Sequence, residues 1–171
     1  MRAVTARARA AGLRVIVGAT IHDFGPNDDP DVVVAGILPS HEVMPHVDVA
    51  ITMGGQGTVQ TAMCCGTPLV AIPLYPEQEL NVDLAVRQGM ALAVAPRHAE
   101  GEKMTAAIRR VASEPGFRHE AMRVKTLYAG TDGAASAAAA ITRFLAGDEV
   151  STVRGARRLA PALGDRRTHT A

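Results

Sequence analysis

The chain has 171 residues, 47% of them apolar but only 3% aromatic, with no tryptophan and a formal net charge of +1. That is enough for one domain with a core of Val, Leu, Ile, Ala and Met. The near-neutral, interspersed charge excludes nucleic acid as the main partner, since phosphates demand a basic face, and no apolar run approaches the roughly 18 residues of a transmembrane segment.

The opening "MRAVTARARAAG" is basic and acid-free. It lacks the long apolar stretch of a secretory signal, so it reads as a first helix of a cytoplasmic protein. "LRVIVGA" (13–19) is short, β-branched and ended by small residues, hence a buried strand. "TIHDFGPNDDP" is a surface loop by its Gly, Pro, Asn and Asp content. "DVVVAGIL" (31–38) is a second strand, closed by Pro39, after which Ser40 caps a short helix. "VDVAIT" (47–52) and "TPLVAIP" (67–73) are the third and fourth strands, with a helix over 56–65 between them. A helix over 77–89 stops at Gly89, and "MALAVA" (90–95) is the fifth strand. Three helical stretches follow, over 101–113, 115–129 and 132–145. Beyond residue 147 the pattern dissolves, and 147–171 is expected to be a disordered tail.

Short, wholly apolar strands alternating with helices imply a doubly wound parallel α/β sheet with helices on both faces. Cys64 and Cys65 are adjacent, which suits small core residues in a reducing compartment rather than a disulfide. His22, His41, His46, His98 and His119 are scattered, and His41 and His46 do not share a helix face, which argues against a zinc site.

"ITMGGQGTVQTAMCCGTPLVAIP" (51–73) sets more glycine after the third strand than a turn requires. In such sheets ligands bind outside the carboxyl ends of the strands. Gly54, Gly55 and Gly57 have no side chains, the helix that starts here points its positive end outward, and Thr58 adds a hydroxyl. Together these suit a phosphate or diphosphate. The alternative is a tight turn that needs glycine for conformation alone. The loop is neither a Walker A motif nor a full dinucleotide fingerprint. Glu77 and Gln78, after the fourth strand, project from the same edge. As an acid–amide pair they can bond several sugar hydroxyls, or they can merely favour the helix dipole.

The succession "GILPSHEVMPHVDVAITMGGQGTVQTAMCCGTPLVAIPLYPEQELNVDLAVRQGMALAV" resembles the carboxyl-terminal, donor-binding half of GT-B type glycosyltransferases. The group most like it is the bacterial antibiotic and macrolide glycosyltransferases related to the UDP-glucuronosyltransferases. The likeness runs over about 13–145. It implies a Rossmann-like domain over 1–146 that lacks its first strand. It also implies transfer of a hexose from a UDP- or dTDP-linked sugar to an acceptor hydroxyl of a small molecule or natural product, with no separate cofactor and no metal. By the same resemblance Met53, Gly54, Gly55, Gly57 and Thr58 hold the donor diphosphate, and Glu77 and Gln78 grip the sugar. Ile37, Leu38 and Pro39 pack on the nucleobase, and Thr61 lies near the ribose.

Three residues depart from the pattern. The loop histidine is Met53, which has no N–H to donate. The aromatic facing the base is Ile37, and the sugar-binding aspartate is the longer Glu77. The resemblance places the catalytic base and acceptor pocket in an amino-terminal domain, and no residue of this sequence is assigned as base. The partners implied are a nucleotide sugar and an acceptor-binding domain or subunit. The alternatives are one subunit of a split glycosyltransferase, or a catalytically silent nucleotide-sugar-binding remnant.

Overall fold

The computed structural model describes residues 1–19 and 23–147. His22 and residues 148–171, which include nearly all of the expected tail, lie outside the described residues. The chain divides into two compact units, Met1–Ala129 and Gly130–Ala171.

In the first unit helix α1 (Arg2–Ala10) leads into strand β1 (Val15–Gly18), followed by β2 (Val32–Ala35). Helix α2 (Ser40–Val43) and a 3-10 turn (Met44–His46) precede β3 (Ala50–Thr52), α3 (Gln56–Cys65), β4 (Leu69–Ala71) and α4 (Pro76–Arg87). Strand β5 (Ala91–Ala93), α5 (Glu102–Ser113) and α6 (Pro115–Tyr128) complete it. The described part of the second unit is one helix, α7 (Gly133–Leu145), capped where Asp132 accepts a bond from the Ala135 amide.

All strand pairs among the described residues are parallel, as expected for strands joined by crossovers, but they form two ladders. β1 pairs with β2, and β3, β4 and β5 pair in that order. Side chains along β4 alternate between two cores, as a strand covered on both faces must. Leu69 joins Met44, Val59, Ala62, Met63, Ala85, Met90, Ala121 and Val124, on the side of α3, α4 and α6. Val70 joins Ala8, Met104, Ile108 and Val111, on the side of α1 and α5. Helices therefore cover both faces, and the expected doubly wound class holds.

Local chemistry explains most boundaries. Gly66 ends α3 in the left-handed region (φ 73°), which glycine enters without a Cβ penalty. Arg118 of α6 donates to the carbonyls of Gly66 and Val47 and so ties the end of α3 and the end of the 3-10 turn to one cation. One sequence expectation is corrected. Cys64 is exposed rather than in the core, because it falls on the outer face of α3, while Cys65 is half-buried and burial pushes its thiol up.

Candidate functional site

The site is the turn between β3 and α3 and what packs on it. Thr52 ends β3, and its hydroxyl accepts the Gly54 N–H at 3.1 Å. Gly54 is buried with φ +90°, and a Cβ there would lie 2.4 Å from Val82 Cγ2 and 3.2 Å from the Gln78 carbonyl. This glycine is thus required by conformation and by the close approach of α4. Its amide is already bonded within the protein and is not available to a ligand.

Gly55 and Gly57 differ. Gly55 is the residue before α3, with φ −59° and ψ 142°, a backbone that any residue adopts. A Cβ on Gly55 or Gly57 would meet nothing within 4 Å. Val59 donates to the Gly55 carbonyl, the first bond of the helix, so the amides of residues 56–58 have no partner inside it. No side chain caps this end. Among the described residues, the N–H groups of residues 55–58 have no acceptor, and their approach is unobstructed. Partial positive charge from the helix adds to them.

Two elements bring the remaining residues beside this turn. Pro76 starts α4 with its fixed φ, and Glu77 and Gln78 occupy the first turn. The Gln78 side-chain oxygen accepts the Leu74 N–H at 2.8 Å, which leaves its NH2 group outward as a donor. Glu77 accepts a bond from Asn81 Nδ2, and the same amide group reaches the Gly54 carbonyl at 3.2 Å. Asn81 therefore bridges the glycine turn and the acidic residue. Sequence reading missed it, yet the signal was present: residues four apart on a helix share a face.

Met53 is 54% exposed at the strand end and Thr58 half-buried. The Thr61 hydroxyl donates to the Gly57 carbonyl at 2.8 Å, so only its acceptor lone pairs remain free. At the end of β2, Ile37 is 82% exposed. Leu38 is half-buried, its Cδ1 3.4 Å from where a Cβ on Gly18 would sit, and Pro39 is exposed. The structure brings Gly54, Glu77, Gln78 and Asn81 into direct contact. It sets residues 37–39 at the end of the other ladder. Among the described residues no three His, Cys, Asp or Glu side chains gather as a metal would require, and no helix is long and apolar enough to cross a membrane.

Comparison with known proteins bears on the arrangement. The family model described as UDP-glucoronosyl and UDP-glucosyl transferase matches residues 26–132. The 4'-demethylrebeccamycin synthase of Lentzea aerocolonigenes is 33% identical over 107 residues, covering 63% of this chain and 25% of that protein. The calicheamicin glycosyltransferase CalG4 has a similar fold, with a TM-score of 0.71 and 24% identity over 84% of this chain and 39% of that one. The glycosyltransferase VinC, solved in complex with DTDP, gives a TM-score of 0.56 and 22% identity over 62% of this chain and 27% of its own. The chain spans about a quarter of the length of the curated relatives it matches.

Proposed function

The chain belongs to the UDP-glucoronosyl and UDP-glucosyl transferase family, and from that premise we propose that it is the donor-binding part of a glycosyltransferase acting on a nucleoside-diphosphate sugar. One observation carries the reading. The open amides of residues 55–58 stand at the start of α3, next to Glu77 and Gln78. Such amides suit a diphosphate, and an acid–amide pair beside them suits the hydroxyls of the attached sugar. The nucleoside would extend toward Ile37, Leu38 and Pro39, with Thr61 toward the ribose. VinC holds DTDP, which supports dTDP as the carrier, and the family's description supports UDP. Relatives named as a 4'-demethylrebeccamycin synthase and a demethyllactenocin mycarosyltransferase support a natural product as the acceptor, and the reading takes its hydroxyl as the acceptor group.

In the reaction so proposed the acceptor oxygen bonds to the anomeric carbon as the bond from that carbon to the phosphate oxygen breaks. The electron pair leaves with the diphosphate. Negative charge grows on the leaving oxygens, where preorganised amides and the helix end stabilise it. The acceptor proton passes to a base outside the residues assigned here. Gln78 donates through its NH2 and Glu77 accepts, which orients the sugar.

Calorimetric titration with UDP, dTDP and their glucose conjugates tests the reading. Micromolar binding with competition between free diphosphate and sugar conjugate is the expected result, and no binding at millimolar nucleotide overturns it. A second reading, a silent binding remnant, is favoured by Met53 and the exposed Ile37, which offer neither a donor N–H nor an aromatic face. Transfer measured after adding an acceptor-binding partner separates the two.

A further inference from the structure

A second concavity lies between β5 and α5. A single 3-10 turn (Pro96–His98) leads from the strand toward the helix, and the groove they bound holds about 330 Å³. That is the lower end of the roughly 300–1,000 Å³ of small-molecule sites. Its floor is apolar. Leu92 and Val94 meet Ala106 and Ala107 of α5, whose short side chains leave the space open.

The rim is basic. Among the described residues His98, Lys103 and Arg110 line the groove and no carboxylate does. Arg110 is already paired, since Glu114 accepts from its Nε at 2.9 Å and its Nη2 at 3.2 Å. Glu102, the residue before Lys103, bonds Arg7 at 2.9 Å. Lys103 has no such acid. Its Nζ lies 3.3 Å from His98 Nε2. An ammonium only donates, so this contact requires a neutral imidazole with its proton on Nδ1. One of the three ammonium donors is used there, and two remain. Burial, then Lys103 and Arg97, hold the His98 ring below its usual range, with no carboxylate among the groups that act on it. The potential in the groove is therefore positive.

We propose that this groove binds a small organic acid, with its carboxylate at Lys103 and its hydrocarbon body on Leu92, Val94, Ala106 and Ala107. Lys103 offers a compact point charge with open donors, while the planar guanidinium fork that favours phosphate is taken by Glu114. The floor calls for hydrocarbon, because burying apolar surface is what such a floor contributes. The inference stands apart from the donor site, since none of these residues belongs to the glycine turn or to α4.

Octanoate, octylamine and inorganic phosphate are titrated into the 171-residue chain and followed by NMR. Octanoate is expected to shift the His98 ring and the Ala106 and Ala107 methyls saturably at millimolar concentration, and octylamine to leave them in place. A bound anion favours the imidazolium, so the His98 pKa is expected to rise on binding. Lys103→Gln is expected to weaken octanoate about tenfold or more, through loss of a charge-assisted bond. Ala106→Leu puts a good helix former where the ligand body would lie and is expected to weaken it too. Both positions are exposed on α5, so the remaining amide signals of each variant stay where they are in wild type. Equal shifts with octylamine, no saturation at millimolar octanoate, or unchanged affinity in Lys103→Gln each overturn the proposal. So does phosphate binding as tight as octanoate, because the hydrocarbon then contributes nothing. Excess UDP is expected to leave the octanoate shifts intact. Competition by UDP would place octanoate in the donor site instead, and a failure to bind UDP leaves these readouts untouched.

Discussion

Gly54 and Gly55 are neighbours with opposite reasons for lacking a side chain, and the difference can be measured. Gly54 sits at φ +90° against Val82. Gly54→Ala combines left-handed strain with overpacking, and is expected to cost about 2–4 kcal/mol in urea unfolding. Gly55 has ordinary backbone angles and free space above it. Gly55→Val is therefore expected to keep the wild-type unfolding midpoint within error, while calorimetry shows at least about a tenfold loss of dTDP and UDP affinity, the equivalent of ~1.4 kcal/mol. An unchanged affinity would remove the diphosphate from this loop. Sequence alone offered the conformational and the ligand reading of this glycine cluster as alternatives. The conformational reading applies to Gly54, and the ligand reading is left to Gly55 and Gly57, because which glycine meets α4 depends on packing across 24 positions of chain between Gly54 and Gln78.

At the scale of elements, α4 does more than present two polar residues. Its Asn81 joins Glu77 to the Gly54 carbonyl. Asn81→Leu is expected to lower stability by about 1 kcal/mol for the lost bonds, and to weaken sugar-nucleotide binding more than binding of the free diphosphate, as read by paired titrations. The helix itself was legible from its apolar spacing and glycine stop. The Glu77–Asn81 pairing was legible from its four-residue spacing, but the reach of Asn81 to the Gly54 carbonyl was not, since it depends on how α4 packs on the turn.

A second inter-element tie is Arg9 of α1, which bonds Asp29 at 2.9 Å and Asp31 at 2.6 Å ahead of β2. The Asp31 amide, and then Arg9, hold the Asp29 carboxyl below its usual range. A carboxylate depressed in the folded state contributes stability above its unfolded pKa, about 3.9, and loses it as pH falls through the folded value. Urea midpoints are expected to fall as pH drops below about 4, and to fall less steeply for Asp29→Asn. The pair is partly solvated, so the effect is small.

For the molecule as a whole, the order of strands and helices was readable because each element carries its own period and punctuation. Each of the five strands among the described residues was expected, although each proved shorter than its apolar run. The division into two ladders was not readable. Pairing between β1 and β3 would be non-local, and nothing in either strand's composition says whether the two lie side by side. The same scale governs activity. The proposed site supplies a place for the leaving diphosphate and the sugar but assigns no base. The 171-residue chain alone is therefore expected to bind nucleotide sugar without transferring the sugar to acceptors, as checked by product chromatography, and activity at the level of relatives would refute that division of labour.

The contact of Gly54 with Val82, spanned by Asn81, has a bearing on engineering. Residues 53–58 and 74–82 fit each other as two halves of one bracket. A chimera that imports both segments from a relative inherits a matched pair. A chimera that imports one of them inherits a mismatch at the seam, however similar the parents are elsewhere. Under the proposed donor site, donor preference would have to be transplanted as a cassette.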